Sequence, residues 1–458
     1  MKRAATGPPD STNEGAPRQE LSLFDATSLI LGIIIGAGIY QTAPDVARGA
    51  GSWWGVVGIW LLGGAVSLFG ALGYAELAAA HPRQGGDYVY LTRAYGPWAG
   101  FLFGWSQLAV LRPGDIGVLA FVFATYASEL YDPLAGSSFL FGRLTTQVLY
   151  AAGGTMALTA INIAGVRQGK WVQNLLTMIK VAGLLAIVGV ALFAPAADPA
   201  GGPAEATGEL APFPFSVALI LVLFTFGGWN EMAYVAAEVK QPKRNIVRAL
   251  VLGTVGVTVI YLAVNGAFLA VLGYIGLASS EAVATDTVST VLPNEAGRLI
   301  SALICISALG SMNGVILTGA RISYAMGSEH PPFHFLGRWN EKTSTPVRAL
   351  VVQGLLASVL IFALGSFVKT IIYTAATVYS FYLATNVAVI VLRKKEPEVE
   401  RPYRVTGYPV TTLIFCAFCG FLIYGAVTYR PWIALASVGV ILLGLPLYKL
   451  SVHQRAKR

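Results

Sequence analysis

Ile33-Ile34-Ile35-Gly36-Ala37-Gly38-Ile39-Tyr40 sets three small residues in the middle of the first long apolar run, which extends from Phe24 to Val46. About 20 residues at ~1.5 Å rise cover the ~30 Å hydrocarbon core of a bilayer, so a run of this length predicts a membrane helix. Gly36 and Gly38 each weaken a helix interior by roughly 1 kcal/mol relative to Ala, and Pro44 follows closely, so the helix is expected to break here. Bare N–H and C=O groups at membrane depth are tolerated only where they are buried in protein or line a cavity. Such groups can hold a ligand. The alternative is that the small residues merely let two helices approach closely.

Composition supports a bilayer setting. The chain has 458 residues, 55% hydrophobic and 12% charged, with a mean hydropathy of +0.65, whereas soluble domains carry ~25% charged residues. It reads as a polytopic membrane protein with one domain over residues 21–450. Residues 1–20 are polar with no apolar core of a signal peptide, and are expected to be a disordered cytoplasmic tail, with 451–458 as a second tail. The net charge of +8 does not imply nucleic acid, because in a membrane protein the placement of Lys and Arg decides its meaning. Cys305, Cys416 and Cys419 all lie in apolar runs, so no disulfide framework is expected. The Cys416/Cys419 pair has no second ligand pair for a metal. No Ser-His-Asp constellation or phosphate-binding loop is present, and His81, His330, His334 and His453 lie in loops or tails. Neither enzymatic turnover nor a cofactor is expected.

Apolar windows predict twelve spans, near 24–48, 53–80, 98–128, 144–164, 169–194, 214–238, 246–273, 297–326, 346–365, 369–392, 408–429 and 431–450. With the N-terminus inside, most of the 31 Lys and Arg fall in inner loops and tails, which places both termini in the cytoplasm. The loop from Ala194 to Pro212 reads as a flexible outer connector. Ala278 to Glu295 is too short to span, and is expected to hold a helix lying partly in the outer face. The sixth span repeats the opening motif, with Phe224-Thr225-Phe226-Gly227-Gly228-Trp229-Asn230-Glu231 placing adjacent glycines mid-membrane. Because the first and sixth spans cross in opposite directions, two such breaks predict an inverted repeat of five plus five helices, 24–194 and 214–392, with helices 11 and 12 (408–450) appended.

Each break should expose one half-helix N-terminus and one C-terminus at the midplane. The N–H end favours an anion and the carbonyl end a cation. An α-amino acid fits both: its carboxylate to N–H groups near Gly36, Ala37, Gly38 and Ile39, its ammonium to carbonyls near Ile34, Phe224 and Gly227. Phe224 either covers the ligand as a gate or is a core aromatic. Lys180 in the fifth span would be costly if unpaired. It can stand in for a bound Na⁺ against freed carbonyls of helix 1, titrate, or reach inner headgroups. Arg112 and Asp115 share a face at i, i+3, beside Pro113, as an ion pair or a substrate contact. Glu76 invites a partner such as Arg93. Ser307, Ser311 and Asn313 in the eighth span need partners, with Ser307 or Ser311 facing Lys180 as one option and backbone bonding as the other.

Several motifs are similar to those of the amino acid–polyamine–organocation superfamily. Ile34 to Ile39 resembles its helix 1 break. Tyr74-Ala75-Glu76-Leu77, Gly85-Gly86-Asp87-Tyr88, Arg112-Pro113, Phe224 to Asn230, Lys240-Gln241-Pro242-Lys243-Arg244-Asn245, Leu309 to Gly314 and Glu400-Arg401-Pro402-Tyr403 resemble its L-type amino acid transporter branch. The resemblance runs from about residue 20 to 450. It implies the five-plus-five fold, Na⁺-independent amino acid carriage, usually by exchange, a helix 5 lysine in the region of a sodium site (Lys180), and a site-lining asparagine (Asn230). Two residues depart from the pattern. Ala37 stands where the family often has Ser, leaving only backbone donors, and Asp115 stands where small or hydroxylated residues are common. The outer loop Tyr131 to Arg143 lacks the Cys that animal members use, so no disulfide-linked heavy chain is expected.

The expected protein is an inner-membrane amino acid exchanger using alternating access, with the bilayer and a small-molecule amino acid substrate as its partners. The rivals are a proton-coupled symporter in which Lys180 titrates and a non-transporting amino acid sensor.

Overall fold

The computed structural model describes residues 22–81, 86–134, 144–165, 170–194, 213–231, 239–340, 342–343 and 345–456. The expected tail 1–20, most of the loop Ala194 to Pro212 and of the loop Tyr131 to Arg143, and the end of the sixth span at 232–238 lie outside them.

The described residues are organised as helices, with one isolated bridge between Asn340 and Thr345. The first predicted span is two helices, α1 (Leu23–Ile34) and α2 (Gly38–Ala50), bent by 57° across the glycines. Ser22 and Asp25 close a capping box at the start of α1, satisfying N–H groups that have no partner within the helix. Gly51, at φ 72°, ends α2 in the left-handed region that glycine enters without strain. Ser52 then caps α3 (Trp53–Ala80).

Between the second and third spans the chain is helical, α4 (Asp87–Tyr95), where a loop was expected. Tyr90, Leu91 and Ala94 recur on one buried face, a short amphipathic pattern that the neighbouring Gly85-Gly86 pair obscured. The third span joins α5 (Pro97–Ser106) to α6 (Arg112–Leu130) through a π-helical turn at Gln107–Leu111. Pro113 has no N–H for the carbonyl four residues back, so the ladder must adjust locally at this point.

Next come α7 (Thr146–Ile163), α8 (Lys170–Ala191) and α9 (Phe215–Thr225), the last ending at the second glycine pair. The long α10 (Pro242–Ser279) has a non-helical residue at Gly273, and α11 (Val283–Val291) is a short helix within the stretch Ala278 to Glu295. The remaining elements are α12 (Asn294–Glu329), α13 (Val347–Leu364), α14 (Phe367–Lys395), α15 (Val410–Tyr429), α16 (Pro431–Leu442) and α17 (Gly444–Ala456), so helix continues into the expected C-terminal tail. Among the described residues eight helices are long and apolar enough to cross a membrane, or nine if the bent α1–α2 pair counts as one. α7 is more polar, carrying Gln147, Thr155, Thr159 and Asn162.

Within this bundle α1 and α3 pack on α10, α2 packs on α9, and α6 and α8 pack on α12. Apolar burial drives little between helices in lipid, so close packing and polar contacts must hold them together. Gly253 of α10 lets Ile30 of α1 approach: a Cβ there would stand 2.5 Å from Ile30 Cγ2. Asn162 Nδ2 donates to Asn313 Oδ1 at 2.6 Å, tying α7 to α12.

Candidate functional site

The last helical bond of α1 runs from Ile35 N–H to the Leu31 carbonyl, and α2 restarts at Gly38. Tyr40 N–H bonds back to the Ala37 carbonyl at 3.3 Å, while the N–H groups of Gly38 and Ile39 have no helical partner one turn back. In the second break, Phe226 N–H reaches the Val222 carbonyl, Gly227 N–H reaches the Phe224 carbonyl at 2.9 Å, and Gly228 takes φ 106°. That conformation suits glycine alone.

The two breaks lie against each other in crossed fashion. A Cβ on Gly38 would stand 3.7 Å from Phe224 Cε1 and 3.8 Å from Thr225 Oγ1, while one on Gly228 would stand 2.7 Å from Ile33 Cγ2. The outgoing side of the first break thus meets the incoming side of the second, and the reverse. Thr225 donates its hydroxyl to the Leu221 carbonyl at 2.8 Å, so Thr42, at 3.1 Å, is the donor between the two threonines. The Tyr261 hydroxyl of α10 lies 2.8 Å from the Ile34 carbonyl and 3.1 Å from the Thr225 carbonyl. One hydroxyl therefore lies within bonding distance of both broken ends.

Sequence reasoning missed Tyr261, Thr42 and Thr225. The two threonines were legible as hydroxyls beside the glycine motifs. Tyr261, a phenol inside an apolar span, gave the signal that a buried hydroxyl needs a partner.

Ala37, Ile34 and Ile39 are buried, and Gly36 is partly exposed. Phe224 is half-buried over Gly38 and meets the Phe367 ring edge to face at 6.4 Å. Two of the carbonyls assigned to an ammonium already accept one bond each, Phe224 from Gly227 and Ile34 from Tyr261. Each keeps a second lone pair. Asn230 Oδ1 accepts from the Tyr382 hydroxyl at 3.1 Å, which joins the second break to α14.

Lys180 is 9% exposed and its Nζ donates to Ser311 Oγ at 2.6 Å. It points into the bundle, against the option that it reaches headgroups. Ser311 in turn donates to the Ser307 carbonyl at 3.0 Å. Lys180 and Ser307 border one cleft with Tyr40 of α2, so the ammonium lies near the outgoing half of helix 1 while its bond goes to α12.

Arg112 and Asp115 form the expected i, i+3 ion pair, at 3.7 Å. Arg112 also packs at Gly319 of α12, where a Cβ would stand 3.2 Å from Arg112 Cβ.

Near the C-terminal end of α3, Glu76 does not pair with Arg93. It takes both arms of Arg393, at 2.8 and 2.5 Å, and the backbone N–H of Val405 at 2.7 Å. Arg93 pairs instead with Glu396 at 2.9 Å. Arg393 lies 317 residues along the chain from Glu76, beyond any local pattern. Asp87 of α4 accepts from Tyr74 and, at 2.7 Å, from Thr385. Together these bonds lash α3 and α4 to α14.

The arrangement offers helix ends of both polarities around one point, which suits a small zwitterion rather than covalent chemistry. Among the described residues no group of three or more His, Cys, Asp and Glu could hold a metal.

Comparison with known proteins agrees in kind. The family described as amino acid permease matches residues 21–443. The chain is 30% identical to the human Asc-type amino acid transporter 1 over 98% of its length and 85% of the relative's. It is 29% identical to the human b(0,+)-type amino acid transporter 1 over 96% and 89%. It is 30% identical to the serine/threonine exchanger SteT of Bacillus subtilis over 95% and 98%. The chain belongs to the amino acid permease family, within the amino acid–polyamine–organocation superfamily, and is a multi-pass membrane amino acid transporter.

Proposed function

We propose that this amino acid permease is a secondary-active, Na⁺-independent exchanger of the inner membrane that carries α-amino acids by alternating access. The observation that carries the reading is the crossed contact of the two breaks, Gly38 on Phe224 and Thr225, Gly228 on Ile33. Two antiparallel broken helices placed this way present N–H groups and carbonyls to one small ligand. The carboxylate sits at Gly36, Ala37 and Gly38, by backbone alone because residue 37 has no hydroxyl. The ammonium sits at the carbonyl ends of α1 and α9, and Phe224 closes over the ligand.

The repeated break fits twelve spans in a five-plus-five inverted repeat, and the Lys and Arg distribution favours cytoplasmic termini. Lys180, whose ammonium bonds from α8 to α12, takes the place in the bundle that a sodium ion would occupy. Exchange is favoured by the name of the bacterial relative, a serine/threonine exchanger. The carrier is proposed to work without a disulfide-linked heavy chain, since the sequence from Tyr131 to Arg143 has no Cys.

Counterflow in proteoliposomes tests the mode. Labelled amino acid should enter only when unlabelled amino acid is inside, with no Na⁺ and no pH gradient. Uptake that needs a pH gradient and ignores internal amino acid contradicts exchange and favours proton symport.

A further inference from the structure

The cleft bordered by Tyr40, Lys180, Gly183, Ile187, Ile304 and Ser307 is a small, partly open space, far too small for an amino acid. Its hydrogen-bonding groups are a set of donors. Among the described residues, Lys180 has one hydrogen-bond partner, Ser311, so two of its three N–H groups are left for a guest. Ser307 is 3% exposed, and its hydroxyl has no partner among the described residues. Four residues on, Ser311 does bond back to the Ser307 carbonyl. Ser307 makes no such bond, and its hydroxyl is left to the cleft. The Tyr40 hydroxyl borders the same space, 3.5 Å from where a Cβ on Gly183 would stand. No carboxylate lines the cleft, and none pairs with Lys180 among the described residues.

A buried ammonium with no counter-charge is costly. A water can accept its N–H bonds but leaves the charge uncompensated. A guest that accepts from the ammonium and the serine hydroxyl while carrying one negative charge meets both needs. We propose that this cleft is a binding site for a small monovalent inorganic anion of halide size. The site lies beside the amino acid breaks, and its guest is too small to be the substrate.

The test is thermal unfolding of the purified full-length protein, with potassium chloride replacing potassium gluconate at constant ionic strength. Chloride should raise the midpoint saturably, by about 1–2 °C at tenfold excess over its dissociation constant. Ser307→Ala should lose the rise. Gly183→Ala should lose it too, because its new Cβ meets only the Tyr40 hydroxyl, at ordinary contact distance, and narrows the cleft without a clash. No chloride-specific rise in the parent protein, the outcome for a water guest, overturns the site. An equal rise in both variants, the outcome for a general salt effect, overturns it as well.

Discussion

Tyr261 donates its hydroxyl toward the Ile34 carbonyl at 2.8 Å, and the same oxygen lies 3.1 Å from the Thr225 carbonyl. A single phenol thus lies within bonding distance of one end of each broken helix. Tyr261→Phe keeps the ring, which packs on Trp60 and Phe226, and removes only the bond. Leaving buried carbonyls short of a donor costs about 1–3 kcal/mol. Amino acid transport should fall roughly tenfold while the protein purifies as a monodisperse species. Unchanged initial rates would show that the breaks do not need the bridge.

Gly228→Ala meets two obstacles, the positive φ of 106° and Ile33 Cγ2 at 2.7 Å. Backbone strain of this kind costs on the order of 1–3 kcal/mol. Adding Ile33→Ala removes the contact but not the strain, so the double variant should regain part of the lost amino acid affinity. Full recovery would assign the whole effect to the clash.

The first break was legible because its glycines sit in an uninterrupted apolar run, and the second because it repeats adjacent glycines in a later apolar run. Their contact was inferable from that repetition. The partners of Glu76 and Asn230 were not, since Arg393 and Tyr382 lie on α14, far along the chain. Helix α4 was hidden for a different reason. Nine residues give too few turns for periodicity to outweigh two adjacent glycines.

Glu76→Gln leaves Arg393 with a neutral partner in a setting where the carboxylate is 2% exposed. Breaking a buried pair costs about 3–5 kcal/mol. The unfolding midpoint should drop by roughly 3–5 °C, and a midpoint within a degree of the parent would mean that the lashing of α3 to α14 contributes little.

Asp115→Ala separates its two readings. If the carboxylate serves selectivity, competition by cationic and polar amino acids should weaken several-fold relative to apolar ones. A uniform profile would reduce Asp115 to the partner of Arg112.

The central claim is that paired helix breaks recognise both charges of an α-amino acid through backbone groups. Competition against labelled substrate by an amino acid, its methyl ester and its N-acetyl derivative measures this directly. Loss of either charge-assisted set of bonds costs about 1.5–3 kcal/mol, so both derivatives should compete at least tenfold more weakly than the parent amino acid. Equal competition by the ester or the N-acetyl compound would contradict the account.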